Sequence, residues 1–456
     1  MRLVDGAPTD ARLRDSGVRA VFSSRARHQR WLDVEAALAL AQADCGLIPP
    51  AAAARIAESA LIDLMDDDRV ASGLATTGHA LMPLITELSR VVGPEHGGWV
   101  HWGATTQNIM QTGDVLGIRQ AHRIITDGVV DVLNALAELG DRTADMTMAG
   151  RTHGQQAVPI TFGFKVAAWS DALLRHLDRL DQVAPRLFIA MAAGATGTFA
   201  AMGESGPAIQ QAFAERLGLT SMPVPSRSIA DPFAELVFVL GILAATNGVI
   251  AEEVTRLMAV EFAEVAEATP DGDVGSSTMP QKRNPKLCQE IISISAQTRA
   301  LVPLALEAMS HAHEVDGART NMMDEALEQS CILSGTALVR VGSVLTGLHV
   351  DERRMARNLD LSGGLIMAEA VMMTLATSIG RQDAHEVVHH AAAIAADTGR
   401  PFRDVLADDP AVSGSLTPHQ IEDLLNPASH TGLSSLIARQ TSARVRDAIG
   451  GRTVES

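Results

Sequence analysis

The chain has no tyrosine, and its 456 residues include only 4 tryptophans, 10 phenylalanines and 3 cysteines. Hydrophobic residues still make up 46% of it, so burial depends on Ala, Leu, Val, Ile and Met. That composition favours close-packed helices over a sheet sandwich. The cysteines, Cys45, Cys288 and Cys331, are far apart and have no metal-binding or redox spacing, which predicts reduced thiols in a cytoplasmic protein.

Basic residues are also scarce, since 37 Lys and Arg accompany 54 Asp and Glu and leave a formal net charge of −17. This balance argues against nucleic acid as a partner. Residues 1–6 lack the apolar core of a signal peptide. The most apolar window, Leu236 to Ala251, is too short to span a bilayer and includes Thr246 and Asn247. It therefore predicts a buried helix and no membrane association.

Helical periodicity dominates the middle of the chain, and no period-2 strand pattern of any length is found there or elsewhere. We therefore predict an all-α fold around an elongated bundle of five long helices. The predicted helices run from Gln107 to about Ala144, Phe162 to Val183, Asp231 to about Ala268, Pro285 to about Met309, and Glu325 to Leu348.

Three helical domains follow from this pattern. Shorter helices make an N-terminal domain over residues 1–100, and the long helices make a central bundle over 101–349. Short helices separated by Gly- and Pro-containing turns predict a C-terminal domain over 350–456.

One loop stands out, because residues 275–285 read G-S-S-T-M-P-Q-K-R-N-P and follow a run of helix breakers. Asn284 and Pro285 predict the N-cap and first residue of the next helix, with Lys282 just before them. A cation, an amide and the N–H groups of a helix terminus suit a carboxylate, and a serine beside positive charge can be activated. A bare G-S-S would indicate only a solvated loop before a helix, but the whole run is far more specific.

The run resembles the signature of the fumarase/aspartase superfamily, G-S-S-x-M-P-x-K-x-N-P. Two further stretches match that superfamily in place and order: Gly103 to Asn108 (G-A-T-T-Q-N) and Gly150 to Gln155 (G-R-T-H-G-Q). The resemblance covers nearly the whole chain. It implies an enzyme that eliminates a group lying β to a carboxylate and usually releases fumarate.

The resemblance also implies roles for individual residues on the proton-abstraction side. Ser276 would be the base that takes the Cβ proton, and Lys282 and Asn284 would bind the substrate carboxylate. Thr105 and Thr106, at another predicted helix start, would bind a carboxylate through hydroxyl and backbone N–H groups. Donors of this kind would stabilise the enediolate that proton removal creates.

His153 matches the histidine that serves the leaving group, as a general acid or through a water. Gln155 would donate a hydrogen bond to substrate, and His79 occupies a position where adenylosuccinate lyases carry a site histidine. Arg319, together with Asn321, would recognise an anionic group of a small substrate.

Two departures from the superfamily pattern concern the surroundings of these residues. Asn108 stands where many relatives have Asp, and Gln289 stands where many have the Glu that pairs with the catalytic histidine. Glu290 is adjacent, but it projects about 100° away around the helix.

The run K-R-N-P, with Arg283, is shared by adenylosuccinate lyases and 3-carboxy-cis,cis-muconate cycloisomerases, whereas residues 313–320 lack the S-S-V-E-R nucleotide-site pattern of the former. We therefore predict a lyase that cleaves a carbon–nitrogen or similar bond in a succinyl-type dicarboxylate. A cycloisomerase is the alternative, and a non-catalytic, crystallin-like scaffold is a second one. The sequence contains no phosphate loop, dinucleotide fingerprint or cluster of metal ligands, so no cofactor and no metal are predicted.

The superfamily also implies a homotetramer whose active sites are shared between subunits. The predicted helix from Gln107 would be roughly 55 Å long, with Thr106 at its start and His153 beyond its end. One small substrate cannot contact both ends of such a helix. If both residues serve one site, they come from different chains.

Overall fold

The computed structural model describes residues 8–270, 272, 278–279 and 281–452. The fold of these residues is all-α, which confirms the prediction from composition and periodicity. The first helices in chain order are α1 (Val18–Val21), α2 (Ser24–Asp44), α3 (Pro50–Ser59), α4 (Asp67–Thr77), α5 (Met82–Val92), α6 (Thr106–Arg142), α7 (Phe162–Leu187), α8 (Gly206–Arg216) and α9 (Asp231–Leu257).

The helices continue with α10 (Lys286–Ala308), α11 (Gly317–Thr346), α12 (Glu352–Leu359), α13 (Ala368–Ile379), α14 (Arg381–Thr398), α15 (Phe402–Asp408), α16 (Pro410–Ser413), α17 (Pro418–Leu424) and α18 (Ser434–Gly450). Short 3-10 helices lie at Pro8–Arg12, Ile62–Leu64, Gly97–Trp99, Gly203–Ser205, Asp360–Ser362, Leu365–Met367 and Pro427–Ser429. The strands are β1 (Thr147–Thr152), β2 (Gln155–Thr161), β3 (Ile189–Ala190), β4 (Thr220–Ser221), β5 (Val265–Ala266) and β6 (His349–Val350).

The five predicted long helices correspond to α6, α7, α9, α10 and α11. Two of their ends differ from the prediction. α9 stops at Leu257, about ten residues early, because the chain turns at Ala263 with a φ of +49° and then enters β5. α11 begins at Gly317 and not at Glu325, because the Asp316 carboxylate accepts a hydrogen bond from the Arg319 N–H at 2.9 Å and caps the helix.

The hairpin of β1 and β2 corrects the expectation that the chain has no strand pattern. The two strands pair antiparallel, and their register shifts between Ala149 and Arg151, where Gly150 lies. A bulge of this kind breaks the strict alternation by which strands are found in a sequence. The other strands form two-residue pairs, β3 with β4 and β5 with β6.

The described chain divides into two compact units. The first contains the residues up to Val129, then 176–245 and 293–339, and the second contains 130–175, 246–292 and the residues from Arg340 onward. Each of the five long helices contributes residues to both units. In the second unit an apolar cluster formed by α13 to α17 includes Val371, Leu375 and Phe402. The three-domain division of the sequence stays a prediction.

Glycines in α6 allow α2 to lie close to it in the first unit. A Cβ at Gly113 would lie 2.6 Å from the Trp31 ring, and a Cβ at Gly117 would lie 2.8 Å from the Arg30 guanidinium. The Arg30 Nε donates to the Gly113 carbonyl at 3.0 Å, so the approach also satisfies a buried cation. The glycines weaken helix propensity and in exchange permit this contact.

The apolar helix α9 is the single helix among the described residues that is long and apolar enough by itself to cross a membrane. The bent pair Glu352–Ser362 and Leu365–Ile379 passes the same test of length and composition only when the two parts are counted together. In α9, 67% of the most apolar window is buried inside the protein. Burial of this extent agrees with the core position predicted for Leu236 to Ala251.

Gly197 gives a test of the irregular segment before α8. Its φ is +84°, and an added Cβ would lie 2.1 Å from the Pro225 carbonyl oxygen. We expect Gly197→Ala to lower the free energy of unfolding by about 3 kcal/mol or more, because it adds a backbone clash to a strained φ. The matched control is Gly399→Ala, where φ is +70° with no atom within 4 Å of the added Cβ. Equal losses in chemical denaturation would contradict the close approach of Pro225 to Gly197.

Candidate active site

The predicted histidine lies at the tip of the β1–β2 hairpin, in the second unit. His153 and Gly154 form a two-residue turn between the paired Thr152 and Gln155, with φ values of +51° and +76°. Positive φ at both central residues is the requirement of a type I′ turn, which matches the twist of the strands. All four residues are exposed. The hairpin therefore presents His153 and Gln155 to solution on the described chain.

A buried ion pair fixes this hairpin close to its turn. The Arg151 guanidinium donates to both carboxylate oxygens of Glu264, at 2.9 and 2.6 Å, and lies 4.6 Å from the centre of the Phe262 ring. The Asn358 side chain donates a third hydrogen bond to Glu264 at 2.8 Å. Glu264 is fully buried, so its charge requires these donors. Sequence reasoning missed Glu264, because its partner lies 113 residues away in the chain.

The start of α10 differs from the predicted cap. The Gln289 N–H donates to the Pro285 carbonyl at 2.9 Å, and the helix begins at Lys286. Pro285 is therefore the N-cap by its hydrogen bond, and Asn284 precedes it. Lys282 is exposed and Asn284 is half-buried, so both remain in the segment that leads into the helix.

The N–H groups at this helix start are not free for a substrate. The Glu267 carboxylate accepts from the Cys288 N–H at 2.7 Å and from the Leu287 N–H at 3.2 Å, and Glu267 itself is buried. A negative side chain at a helix N-terminus is stabilising. The expectation that backbone N–H groups of α10 bind the substrate carboxylate is thus corrected. Burial and the Glu267 charge raise the pKa of the Cys288 thiol well above its ordinary range, which disfavours its thiolate form.

The predicted base lies outside the described residues. Ser276 falls in residues 273–277, of which the structure gives no account, and its role stays a prediction.

His79 and Thr106 are brought together in the first unit. The Nδ1 atom of His79 accepts from the N–H groups of Leu81 and Met82, at 3.2 and 3.3 Å, at the start of α5. The proton of the neutral ring is therefore assigned to Nε2, which lies 3.4 Å from the Thr106 hydroxyl. Thr106 is the first residue of α6, where the first N–H groups have no partner inside the helix.

Asn108 organises the turn before α6. Its Oδ1 accepts from the Thr105 N–H at 3.2 Å and from the Gly194 N–H at 3.1 Å, and the residue is fully buried. The Nδ2 group has no hydrogen-bond partner in the part of the chain that the structure describes. The Asn108 amide thus fixes the Thr105 backbone without burying a charge.

Arg319, a predicted site residue, and His101, just before the Gly103 to Asn108 stretch, both have partners within the protein. The Arg319 guanidinium contacts Glu307 at 3.0 Å and donates to the Ser310 carbonyl at 3.1 Å. The His101 Nδ1 lies 2.6 Å from a carboxylate oxygen of the buried Glu35. Arg319 in this arrangement is ion-paired, and its role toward substrate stays a prediction.

Glu290 does not take the place of the glutamate expected at position 289, because it forms an ion pair with Arg340. It contacts the Nε of the buried Arg340 at 2.7 Å, while Gln289 is exposed. A buried guanidinium requires such a partner, so Glu290 serves Arg340.

A cavity in the first unit is lined by two carboxylates, Asp114 of α6 and Asp324 of α11. Burial, and next the charge of Asp324, raise the pKa of Asp114 to about 7. Asp324 keeps contact with solvent. Partial desolvation by the side chains around it is the largest cause that raises its pKa, to about 6. Sequence reasoning missed this pair, because the two aspartates meet only in the fold. Among the described residues no group of three or more His, Cys, Asp or Glu side chains could bind a metal ion.

The motif stretches and the all-α fold define a class of lyases. A family model described as "Lyase" matches residues 12–299, and one described as "Adenylosuccinate lyase C-terminus" matches residues 364–441. The chain belongs to the fumarase/aspartase superfamily, and it is an enzyme of that superfamily.

The chain is similar to relatives with different activities. It is 37% identical to an N-acetyl-S-(2-succino)cysteine lyase of Enterococcus italicus, over 91% of each chain. It is 38% identical to a 3-carboxy-cis,cis-muconate cycloisomerase of Pseudomonas aeruginosa, over 93% of each. It is 36% identical to an adenylosuccinate lyase of Methanothermobacter thermautotrophicus, over 93% of this chain and 95% of that one. The solved 3-carboxy-cis,cis-muconate lactonizing enzyme from Pseudomonas putida has a TM-score of 0.89 at 34% identity, covering 97% of this chain and 99% of that chain.

The raised pKa of Asp114 predicts a pH dependence of stability. The folded protein binds this proton more tightly than the unfolded chain, so its contribution to stability is complete below the unfolded pKa of 3.8 and is lost as pH rises through about 7. We expect the melting temperature of Asp114→Asn, relative to wild type, to rise by roughly 2 °C or more between pH 5 and pH 8. The exposed Glu325→Gln is the matched control and should follow wild type. A constant difference between Asp114→Asn and wild type would contradict the assignment.

Proposed function

We propose that the chain eliminates a leaving group from a succinyl-type dicarboxylate, cleaves a carbon–nitrogen or similar bond, and releases fumarate or a fumarate-like product. The observation that carries this proposal is the complete eleven-residue run of residues 275–285 in a chain of the fumarase/aspartase superfamily. Its described part, including Lys282 and Asn284, leads directly into α10. Two of the relatives have names with a succino or succinate group, which supports a succinyl substrate.

The reaction would begin at the substrate Cβ. Ser276, as its alkoxide, takes the Cβ proton, and the electrons of the broken C–H bond go to the enediolate of the neighbouring carboxylate. Lys282 and Asn284 would stabilise that charge with a cation and an amide, and Thr105 and Thr106 would bind the other carboxylate with hydroxyl groups. The electron pair then forms the carbon–carbon double bond.

The bond from Cα to the leaving group breaks in the same sequence. Its electron pair stays on the leaving atom, which receives a proton from His153 directly or through a water. Gln155, which follows on the same hairpin tip, would donate a hydrogen bond to the substrate. The exposure of both residues supports a role toward a group outside this chain's own core.

We propose further that the active site is shared between chains of a homotetramer. α6 has 37 residues and is therefore about 55 Å long. The eleven residues from Arg142 to His153 reach back at most about 39 Å when fully extended. At least about 15 Å would separate Thr106 from His153 in one chain, too far for both to contact the same reacting carbons. A symmetric oligomer removes this separation.

A 3-carboxy-cis,cis-muconate cycloisomerase is the second candidate, and the similarity to such enzymes in sequence and in structure favours it. A non-catalytic scaffold is the third. Assays for fumarate release and for consumption of 3-carboxy-cis,cis-muconate separate all three, because a scaffold does neither.

The function is tested with a panel of N- and S-substituted succinates. We expect wild type to release fumarate from at least one compound, and Ser276→Ala to lower kcat by about a thousandfold or more, because removal of a nucleophile or base has effects of this size. Ser277→Ala is the neighbouring control, and circular dichroism checks that both variants fold. A turnover of Ser276→Ala within tenfold of wild type would reject this serine as the base.

The shared site is tested by mixing two inactive variants, Thr106→Val and His153→Ala, after reversible dissociation. With random assembly of an equal mixture, about one site in four receives both native residues, so about a quarter of wild-type activity should return. Each parent is first shown to be inactive alone. Mixed tetramers without recovered activity would mean that the two residues do not complete one another's site.

A further inference from the structure

A short run in the C-terminal part of the chain has no role in the proposed elimination. Residues 385–389 read H-E-V-V-H, with His385 and His389 four positions apart. On a helix, the pattern H-E-x-x-H places two histidines on one face, where both can bind the same metal ion. In a loop, or on the buried face of a helix, the same five residues would indicate nothing. The structural context therefore decides between a metal site and a chance pattern.

The structure places the whole run inside a regular helix. α14 extends from Arg381 to Thr398, so His385 and His389 lie one turn apart on it. Their rings are stacked, with centroids 6.0 Å apart and planes inclined by 10°. Zinc–nitrogen bonds of about 2.0–2.1 Å require the two rings to converge slightly, which rotation about the exposed side-chain bonds allows. The side-by-side imidazoles are thus close to the arrangement of a chelate.

The opposite face of α14 is fixed in the protein core. Ala384, Val388 and Ala391 are buried in the apolar cluster of α13 to α17, whereas His385 and His389 are exposed. Packing therefore holds the backbone that carries the two histidines, while both imidazoles stay accessible to an ion from solution. A ligand pair on a rigid helix is positioned more accurately than one on a loop.

Neither imidazole has a competing partner in the described part of the chain. No hydrogen bond or ion pair there involves His385 or His389, whereas His419 lies 2.8 Å from a carboxylate oxygen four residues further along its own helix. A neutral imidazole has one nitrogen with a free lone pair, and this atom binds metals. Arg381 brings a positive charge one turn before His385, and the neighbouring Glu386 offsets it.

We propose that His385 and His389 form a binding site for a divalent transition-metal ion, with water completing its coordination. The pair is smaller than the groups of three or more side chains that are absent among the described residues. It lacks the third protein ligand of a catalytic zinc site, so the assignment is metal binding and not hydrolysis. Imidazole suits Cu²⁺, Ni²⁺ and Zn²⁺, and Cu²⁺ binds most tightly of these. The site is independent of the proposed elimination, because the two share no residue.

The site is tested by calorimetric titration of the metal-free protein with Cu²⁺ and, separately, with Zn²⁺. The chain has 15 histidines, so each variant removes one of them and is compared with wild type. We expect His389→Ala to weaken binding at one site by about tenfold or more, because loss of a direct ligand costs at least as much as loss of a supporting residue. His390→Ala is the matched control, since it removes the adjacent histidine and leaves the pair intact. His389→Ala instead leaves His385 and His390, which lie about 140° apart around the helix.

Two further readouts distinguish a chelate from binding to single histidines. Electron paramagnetic resonance at one equivalent of Cu²⁺ should show more nitrogen ligands in wild type and His390→Ala than in His389→Ala. Zn²⁺ should raise the melting temperature of the first two proteins more than that of the third, because an ion bound only by the folded helix stabilises the fold. Circular dichroism checks that every variant folds. Equal metal binding by His389→Ala and His390→Ala, or no binding to wild type, would overturn the proposal.

Discussion

In the second unit, the position of the hairpin that carries His153 depends on the buried carboxylate of Glu264. A fully buried charge is tolerated only where donors surround it, and Arg151 and Asn358 supply them. Arg151 lies two residues before His153 in the hairpin, so pairing with Glu264 fixes the hairpin close to its turn. Three residues later Glu267 caps α10, directly after Lys282 and Asn284 in the chain. One short segment, 264–267, therefore anchors both the histidine hairpin and the helix that follows the signature run.

The proposed site shared between chains would require a fixed support close to each catalytic side chain and an exposed position for the side chain itself. A catalytic side chain must be positioned within fractions of an ångström, which needs a fixed support. In the proposed shared site it would also have to be accessible to a substrate bound partly by another subunit. His153 meets both conditions, because its neighbour Arg151 is anchored while the turn itself is exposed. In the first unit His79 and Thr106 are supported by the helix starts of α5 and α6 in a comparable way.

The sequence predicted the helices well and the polar contacts poorly, for physical reasons. Amphipathic periodicity over twenty or more residues is a strong local signal, and it located α6, α7 and α10 within a few residues. The hairpin was missed because its bulge breaks alternation. The end of α9 was missed because the apolar run continues past it. Partners such as Arg151 and Glu264, or Asp114 and Asp324, are more than a hundred residues apart, so no local pattern connects them. Signature motifs gave the candidate residues, but not the carboxylates that support or accompany them.

The distribution of charge gives a physical account of how an acidic chain could process an acidic substrate. Near Thr106 the described groups that could bind a carboxylate are neutral, so they would do so through hydrogen bonds and not through a full positive charge. Lys282 would supply positive charge where the enediolate forms.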